Sequence, residues 1–233
     1  MQKLLGEDPV GLRGYGAAHL PCPLSFDLVR SAGELKKSEM DACIGLVEKT
    51  SGRDYRASSI GWNPRKKREE MLDTEMVYLL VRQGAVAEQT QAQDMADSEK
   101  AKATPADEKG SPQLIQDYAS VSDAEEIVGF ISFMFTYDDP PHDDYEVVYI
   151  YEIHLHERLR GQGLGSNLIK FVEQTAQHCG IAKTMLTVFT ANEGAKRMYE
   201  RMGYGRDECS PKDRVMRNKT VKADYVIMSK EMA

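Results

Sequence analysis

No stretch of this 233-residue chain approaches the ~18 consecutive apolar residues that a membrane-spanning helix needs. Residues 1–22 contain no apolar run of the kind that forms the centre of a secretory signal. The expectation is a chain with no membrane partner. Cysteine is sparse as well: Cys22, Cys43, Cys179 and Cys209 stand apart, without metal-ligand spacing or the density of a disulfide framework. They read as reduced thiols in an intracellular protein, with no metal site. Nor is there a basic surplus. The net charge is −7, and residues 84–123 hold eight acidic against three basic residues. That segment carries −5 and leaves −2 for everything else, so the global acidity says little about any active surface. The one basic cluster, Lys66, Lys67 and Arg68, runs straight into Glu69 and Glu70. It reads as a solvated helix face, and no direct nucleic-acid partner is expected.

The acidic segment is also poor in apolar groups, with Tyr118 its one aromatic residue. It cannot bury enough surface to offset its ordering entropy, and reads as a disordered insertion within a β-hairpin. The flanking strand-like runs are 77–82 and 127–135. The simplest organisation is one domain over residues 24–230, preceded by an extension, 1–23. Within that domain the spacing predicts a strand at 24–29, helices at 35–50 and 65–72, a strand at 147–155 and a helix at 164–179. Leu164, Leu168 and Val172 fall four apart, as one face of a helix packed on a sheet requires. A strand at 185–189, a helix at 193–202 with Asn192 as its N-cap, and a strand at 225–228 follow. Residues 205–222 read as a long hairpin loop. The class is α+β, a sheet with helices on both faces.

Between the strand at 147–155 and its helix lies Arg160-Gly161-Gln162-Gly163-Leu164-Gly165. A glycine-rich turn that opens a helix puts unpaired backbone N–H groups and the positive end of the helix dipole at one spot. Such a spot binds an anion, and the glycines let a pyrophosphate approach the main chain. The bare alternative is an ordinary strand-to-helix turn.

The Arg-x-x-Gly-x-Gly order resembles the coenzyme A pyrophosphate loop of the GNAT acetyltransferases. So does a second motif at the correct separation: Asn192, Ala195, Tyr199 and Gly203, with Tyr204 where Phe is usual. From about Leu24 to Ser229 the chain resembles one branch of that superfamily, the NatD type of N-terminal acetyltransferase, which acetylates the Ser-Gly-Arg-Gly N-termini of core histones. The resemblance is carried by Asp54-Tyr55, by Gly61 to Met71, by Tyr149-Ile150-Tyr151-Glu152 and by Met185 to Phe189. The block Lys67-Arg68-Glu69-Glu70-Met71 is the most discriminating part.

The resemblance implies a GNAT fold with a mixed, mostly antiparallel central sheet. Acetyl-CoA would be the cosubstrate, held by Ile153, His154, Leu155, Arg160, Gly161, Gln162, Gly163, Leu164, Gly165, Asn192 and Tyr199. Histone N-terminal peptides would be the partners of a monomer that is both cytoplasmic and nuclear. Glu152 would be the general base, and amine chemistry agrees: an α-amino group of pKa ≈ 7.7–8.0 needs only modest help from a nearby carboxylate. The other reading of Glu152 is a strand-end carboxylate paired with a neighbouring cation. Tyr151 or a backbone N–H would steady the oxyanion, and Tyr199 would contact the coenzyme first and act as an acid second. Tyr55, Tyr149, Thr187 and Tyr225 would bind the substrate N-terminus, while Asp138 or its neighbours would receive the substrate arginine. Thr136 and Ile60 depart from the family's Asp and Trp, which weakens the expected grip on substrate.

Strand alternation sets Tyr149 and Tyr151 on one face and Ile150 and Glu152 on the other. A β-bulge would be needed to bring tyrosine and carboxylate to one cleft. An acetyltransferase for lysine side chains or small amines, and a non-catalytic module that binds acetyl-CoA or a histone tail, stand as alternatives.

Overall fold

The computed structural model describes residue 12 and residues 24–84, 125–217 and 219–232. Residues 85–123 of the expected insertion at 84–123, and all but one residue of the 1–23 extension, lie outside the described residues. The exception, Leu12, is buried in the main core.

Seven strands form one sheet in the order β1-β2-β3-β4-β5-β9-β6. These are β1 (Leu24–Val29), β2 (Val77–Gln83), β3 (Glu126–Tyr137), β4 (Glu146–Leu155), β5 (Lys183–Phe189), β6 (Gly205–Arg206) and β9 (Tyr225–Glu231). Every neighbouring pair is antiparallel except β4 and β5. On one face lie α1 (Lys37–Ala57) and α2 (Pro64–Met71); on the other lie α3 (Leu164–His178) and α4 (Glu193–Arg201). The mixed sheet with helices on both faces agrees with the α+β expectation. Residues 205–222 differ from the expected bare loop. They hold the short edge strand β6 and a separate hairpin of β7 (Arg214–Met216) and β8 (Lys219–Val221). Their charged residues mask the strand signal because the hairpin buries little.

The sequence explains the elements locally. Helix α3 buries Leu164, Leu168, Phe171 and Val172 along one face, each contributing about 1.5–3 kcal/mol on removal from water. Helix α1 starts where Glu39 turns back to accept from the Lys36 N–H at 2.8 Å. It runs to Ala57, past the Thr50 at which the apolar periodicity stops. Its last two turns face a cleft rather than the core, so the apolar signal fades before the helix does.

Two details of β4 shape that cleft. Its parallel pairing with β5 covers only Val148, Ile150 and the Tyr149 between them, so the two strands part beyond that point. Its register with β3 slips between Ser132↔Glu152 and Phe133↔Ile150, leaving Tyr151 as the extra residue of a β-bulge. Val148 and Ile150 therefore pack into the core beneath α3 and α4. His154 lies against Phe130, in the core beneath α1 and α2, with ring centroids 5.5 Å apart.

Candidate active site

The bulge carries Glu152 to the face of the sheet under α1, where it is buried. Its Oε1 accepts hydrogen bonds from Tyr55 Oη (2.9 Å) and Lys67 Nζ (2.8 Å), and its Oε2 lies 2.5 Å from His154 Nε2. Lys67 also pairs with Glu70 at 2.8 Å, and its ammonium sits 4.9 Å above the Tyr55 ring. His154 Nδ1 in turn meets Thr50 Oγ1 at 2.5 Å. Burial alone would raise the Glu152 pKa. The charge of His154 and the hydrogen bond to it, then those of Lys67, outweigh burial and hold it near 2. Burial would lower the Lys67 pKa, but Glu152, Tyr55 and Glu70 raise it well above the usual lysine value.

Two cavities meet at this point. The larger, about 640 Å³, is lined by Ile153, His154, Leu155, Arg160, Gly161, Gly163, Gly165, Asn192 and Tyr199, all expected coenzyme residues. Thr50, Ser51 and Met198 also face it. Gln162 and Leu164 are not brought into it. Gln162 turns its amide back to the Arg158 carbonyl at 3.0 Å, and Leu164 is buried in the core. The smaller cavity, about 110 Å³, is lined by Tyr55, Ile60, Tyr151, Glu152, Thr187 and Phe189 among others. Ser51, Ile153, His154, Asn192 and Tyr199 border both. The strand separation after Ile150 thus opens the two cavities against one wall.

The larger cavity suits a phosphate-bearing ligand. Gly163 sits at φ 86°, in the left-handed region where a side chain is strained, and leads directly into α3. The first-turn N–H groups of an α-helix have no partners within the helix, so this end offers donors and the positive dipole end to an anion. Gly161, at φ 75°, has open space where a Cβ would stand. Arg160 anchors the loop by donating to the Leu155 carbonyl at 3.0 Å. Asn192 caps α4 by accepting from the Ala195 N–H at 3.1 Å, as its position before the helix predicts.

The remaining expected substrate residues divide. Tyr149 Oη lies 2.5 Å from Thr187 Oγ1, and the Tyr149 ring packs 5.2 Å from that of Tyr151. Tyr149 and Tyr225 share a small apolar cluster, and neither lines the smaller cavity. Burial first, then the nearby carboxylates of Glu70, Asp73 and Asp139, raise the Tyr151 pKa, so its phenol stays a donor. Burial and then Glu152 do the same to Tyr199.

Asp138 is not brought to the cleft. It is buried in a third cavity, where Lys183 Nζ lies 2.6 Å from its carboxylate and 2.8 Å from that of Asp207. A carboxylate already paired with a buried ammonium is not free to receive a substrate arginine. Asp138, Asp207 and Cys209 converge closely enough to hold a metal ion. The Lys183 ammonium stands where a cation would, and burial followed by the Asp207 hydrogen bond pushes the Cys209 thiol up to about 12. That donor set does not suit a metal.

Sequence reasoning missed Lys67, Thr50 and the side chain of His154. Lys67 was expected on a solvated face, yet it is buried. Met71, four residues on and also buried, was the available signal, since i and i+4 share a helix face.

The sequence model of the acetyltransferase (GNAT) family matches residues 83–204, just over half of the chain, and the chain belongs to that family. Among curated proteins it is 28% identical over 211 residues to N-alpha-acetyltransferase 40 of Saccharomyces cerevisiae, covering 81% of this chain and 58% of that protein. It is 34% identical over 74 residues to the uncharacterized N-acetyltransferase YdgE of Bacillus subtilis, covering 32% of this chain and 46% of that protein. The chain spans about half the length of the curated relatives it matches. Among solved structures, NAA60 of Arabidopsis thaliana in complex with a bisubstrate analogue aligns with a TM-score of 0.52 at 13% identity. That alignment covers 90% of this chain and 100% of the other, and it supports the fold.

Proposed function

We propose that this protein transfers the acetyl group of acetyl-CoA to the N-terminal α-amine of proteins, with core histones beginning Ser-Gly-Arg-Gly as the substrate class. The observation that carries the reading is the shared wall. A groove with an anion-binding helix end and a small aromatic cavity meet at Ile153, His154, Asn192 and Tyr199, with Glu152 buried beside them. The likeness to N-alpha-acetyltransferase 40 supports the α-amine over other acceptors. The carboxylates of Glu70, Asp73 and Asp139, whose charges act on Tyr151, favour a cationic peptide on that side of the site.

In this reading the Arg160–Gly165 loop and the first turn of α3 hold the coenzyme phosphates, and acetyl-CoA supplies the acyl group as a thioester. Tyr55, Tyr149 and Thr187 position the peptide. Tyr151 donates to the developing oxyanion, Tyr199 keeps a proton for the leaving sulphur, and Glu152 stands on the proton path from the amine.

The test is mass spectrometry of two peptides after incubation with the protein and acetyl-CoA. One begins Ser-Gly-Arg-Gly-Lys with a free amine; the other is the same peptide blocked at its N-terminus. One acetyl group on the free α-amine and none on the blocked peptide is expected. Acetylation of the blocked peptide, or no mass gain on either, overturns the proposal.

A further inference from the structure

We propose that His154 is a positioning residue for proton transfer: it and Glu152 hold one proton between them, and this couple, rather than Glu152 alone, accepts the proton of the substrate amine. The inference rests on the amine-acetylating reading above and assigns the His154 ring a role beyond lining the coenzyme groove.

Hydrogen-bond inventory leads there. Thr50 Oγ1 lies 2.8 Å from the Leu46 carbonyl, which can only accept, so the single hydroxyl proton goes to Leu46. Toward His154 the hydroxyl must then accept, and Nδ1 carries a proton. The other ring nitrogen faces Glu152 Oε2 at 2.5 Å, a separation that two bare acceptors do not keep. One proton lies between them, whether written as imidazolium and carboxylate or as neutral imidazole and acid. The second carboxylate oxygen is already taken by Tyr55 and Lys67. Glu152 therefore cannot receive a proton until the couple has lost the one it holds.

Once that proton is gone, the ring presents a lone pair to the carboxylate, and the repulsion raises the couple's appetite for a proton above that of a carboxylate bound to Lys67 alone. The substrate α-ammonium gives one proton to the couple. Its nitrogen then forms the C–N bond to the acyl carbon, while the C–S bond breaks and its electron pair leaves on sulphur. Tyr199 gives its proton to that thiolate and is reprotonated by the second amine proton, leaving an amide and a thiol, and the couple returns its proton to water. The titratable groups that face the couple are Tyr55 from α1, Lys67 and, through it, Glu70 from α2, Tyr78 from β2 and Tyr199 from α4.

The experiment has two arms. In the first, protein labelled with ¹⁵N-histidine and ¹³C-glutamate is titrated by NMR, with His154 assigned by its loss in His154→Gln and Glu152 by its loss in Glu152→Gln. Above pH 5 the ring nitrogens and the Glu152 carboxyl carbon should move together in one step at one pH; separate steps in that range overturn the couple. This arm needs no activity. In the second, kcat for the free Ser-Gly-Arg-Gly-Lys peptide is followed against pH. The variant His154→Gln donates a fixed amide hydrogen to Glu152, so the acid limb should move at least one unit toward lower pH. The plateau should fall tenfold or more, while the KM for acetyl-CoA changes less than threefold. An acid limb at the same pH in the variant overturns the proposal. A wild-type protein that acetylates no peptide removes the amine-acetylating reading and, with it, the couple's part in catalysis; the NMR arm still decides whether the proton is shared.

Discussion

His154 first, and Lys67 after it, keep the Glu152 carboxylate ionised where burial alone would favour the neutral acid. Removing one partner of a buried ion pair costs on the order of 3–5 kcal/mol, and His154 remains to share the charge, so Lys67→Met should destabilise the fold by about 3 kcal/mol at pH 7. The pH dependence has a definite sign. The Glu152 pKa is depressed from 4.5 to about 2 in the folded protein, so its contribution is full above 4.5 and is lost as pH falls toward 2. The gap between wild type and Lys67→Met in urea midpoint should therefore close across that window; a constant gap would show that Lys67 acts through packing alone. Residues of this kind were the least legible in the sequence. Glu152 and Tyr55 could be singled out by resemblance, but nothing in the spacing of Lys67, Thr50 and His154 shows that three separate elements bring them together. Asp138 differs in the opposite direction: the resemblance gave it to a substrate arginine, whereas Lys183 holds this carboxylate inside the molecule.

At the scale of elements the strands and helices were largely readable, because periodicities of 2 and 3.6 register which face is buried. What could not be read is the bulge at Tyr151, since its one-residue slip reverses the sides of everything after it while leaving composition unchanged. At the far end of the same pairing β3 needs Gly129 opposite Leu155, where a Cβ would fall 2.5 Å from Leu155 Cδ2 and 3.0 Å from the His154 carbonyl. The turn into α3 carries its own test. Gly163→Ala places a side chain at φ 86°, at a cost of roughly 1–2 kcal/mol, and disturbs the donors at the helix end. A several-fold rise in the KM for acetyl-CoA with kcat nearly unchanged is expected. Steady-state kinetics with varied acetyl-CoA would reveal it, and an unchanged KM would detach that loop from coenzyme binding.

For the whole molecule, Gln83 and Glu126 are register partners on adjacent antiparallel strands, so a short turn suffices to join β2 to β3. Replacing residues 85–124 by such a turn should keep the fold and hold kcat within about twofold, by circular dichroism and peptide acetylation; unfolding would show that the segment belongs to the domain's core. The cleft itself emerges only at this scale. Resemblance could suggest that a coenzyme groove and a peptide cavity exist, but their common wall depends on where β4 and β5 separate. That separation has a further consequence. From Glu152 to Leu155, β4 is paired with β3 on one side and has no strand partner on the β5 side among the described residues. The molecule thus contains a sheet edge in its interior rather than at its rim. There, main-chain donors and acceptors repeat about every two residues, near 6.6 Å. In the proposed reaction a ligand arm bearing amides at intervals would lie along that edge as a further strand does, and its length and direction would be read by the backbone of β4, where side-chain substitution cannot erase it.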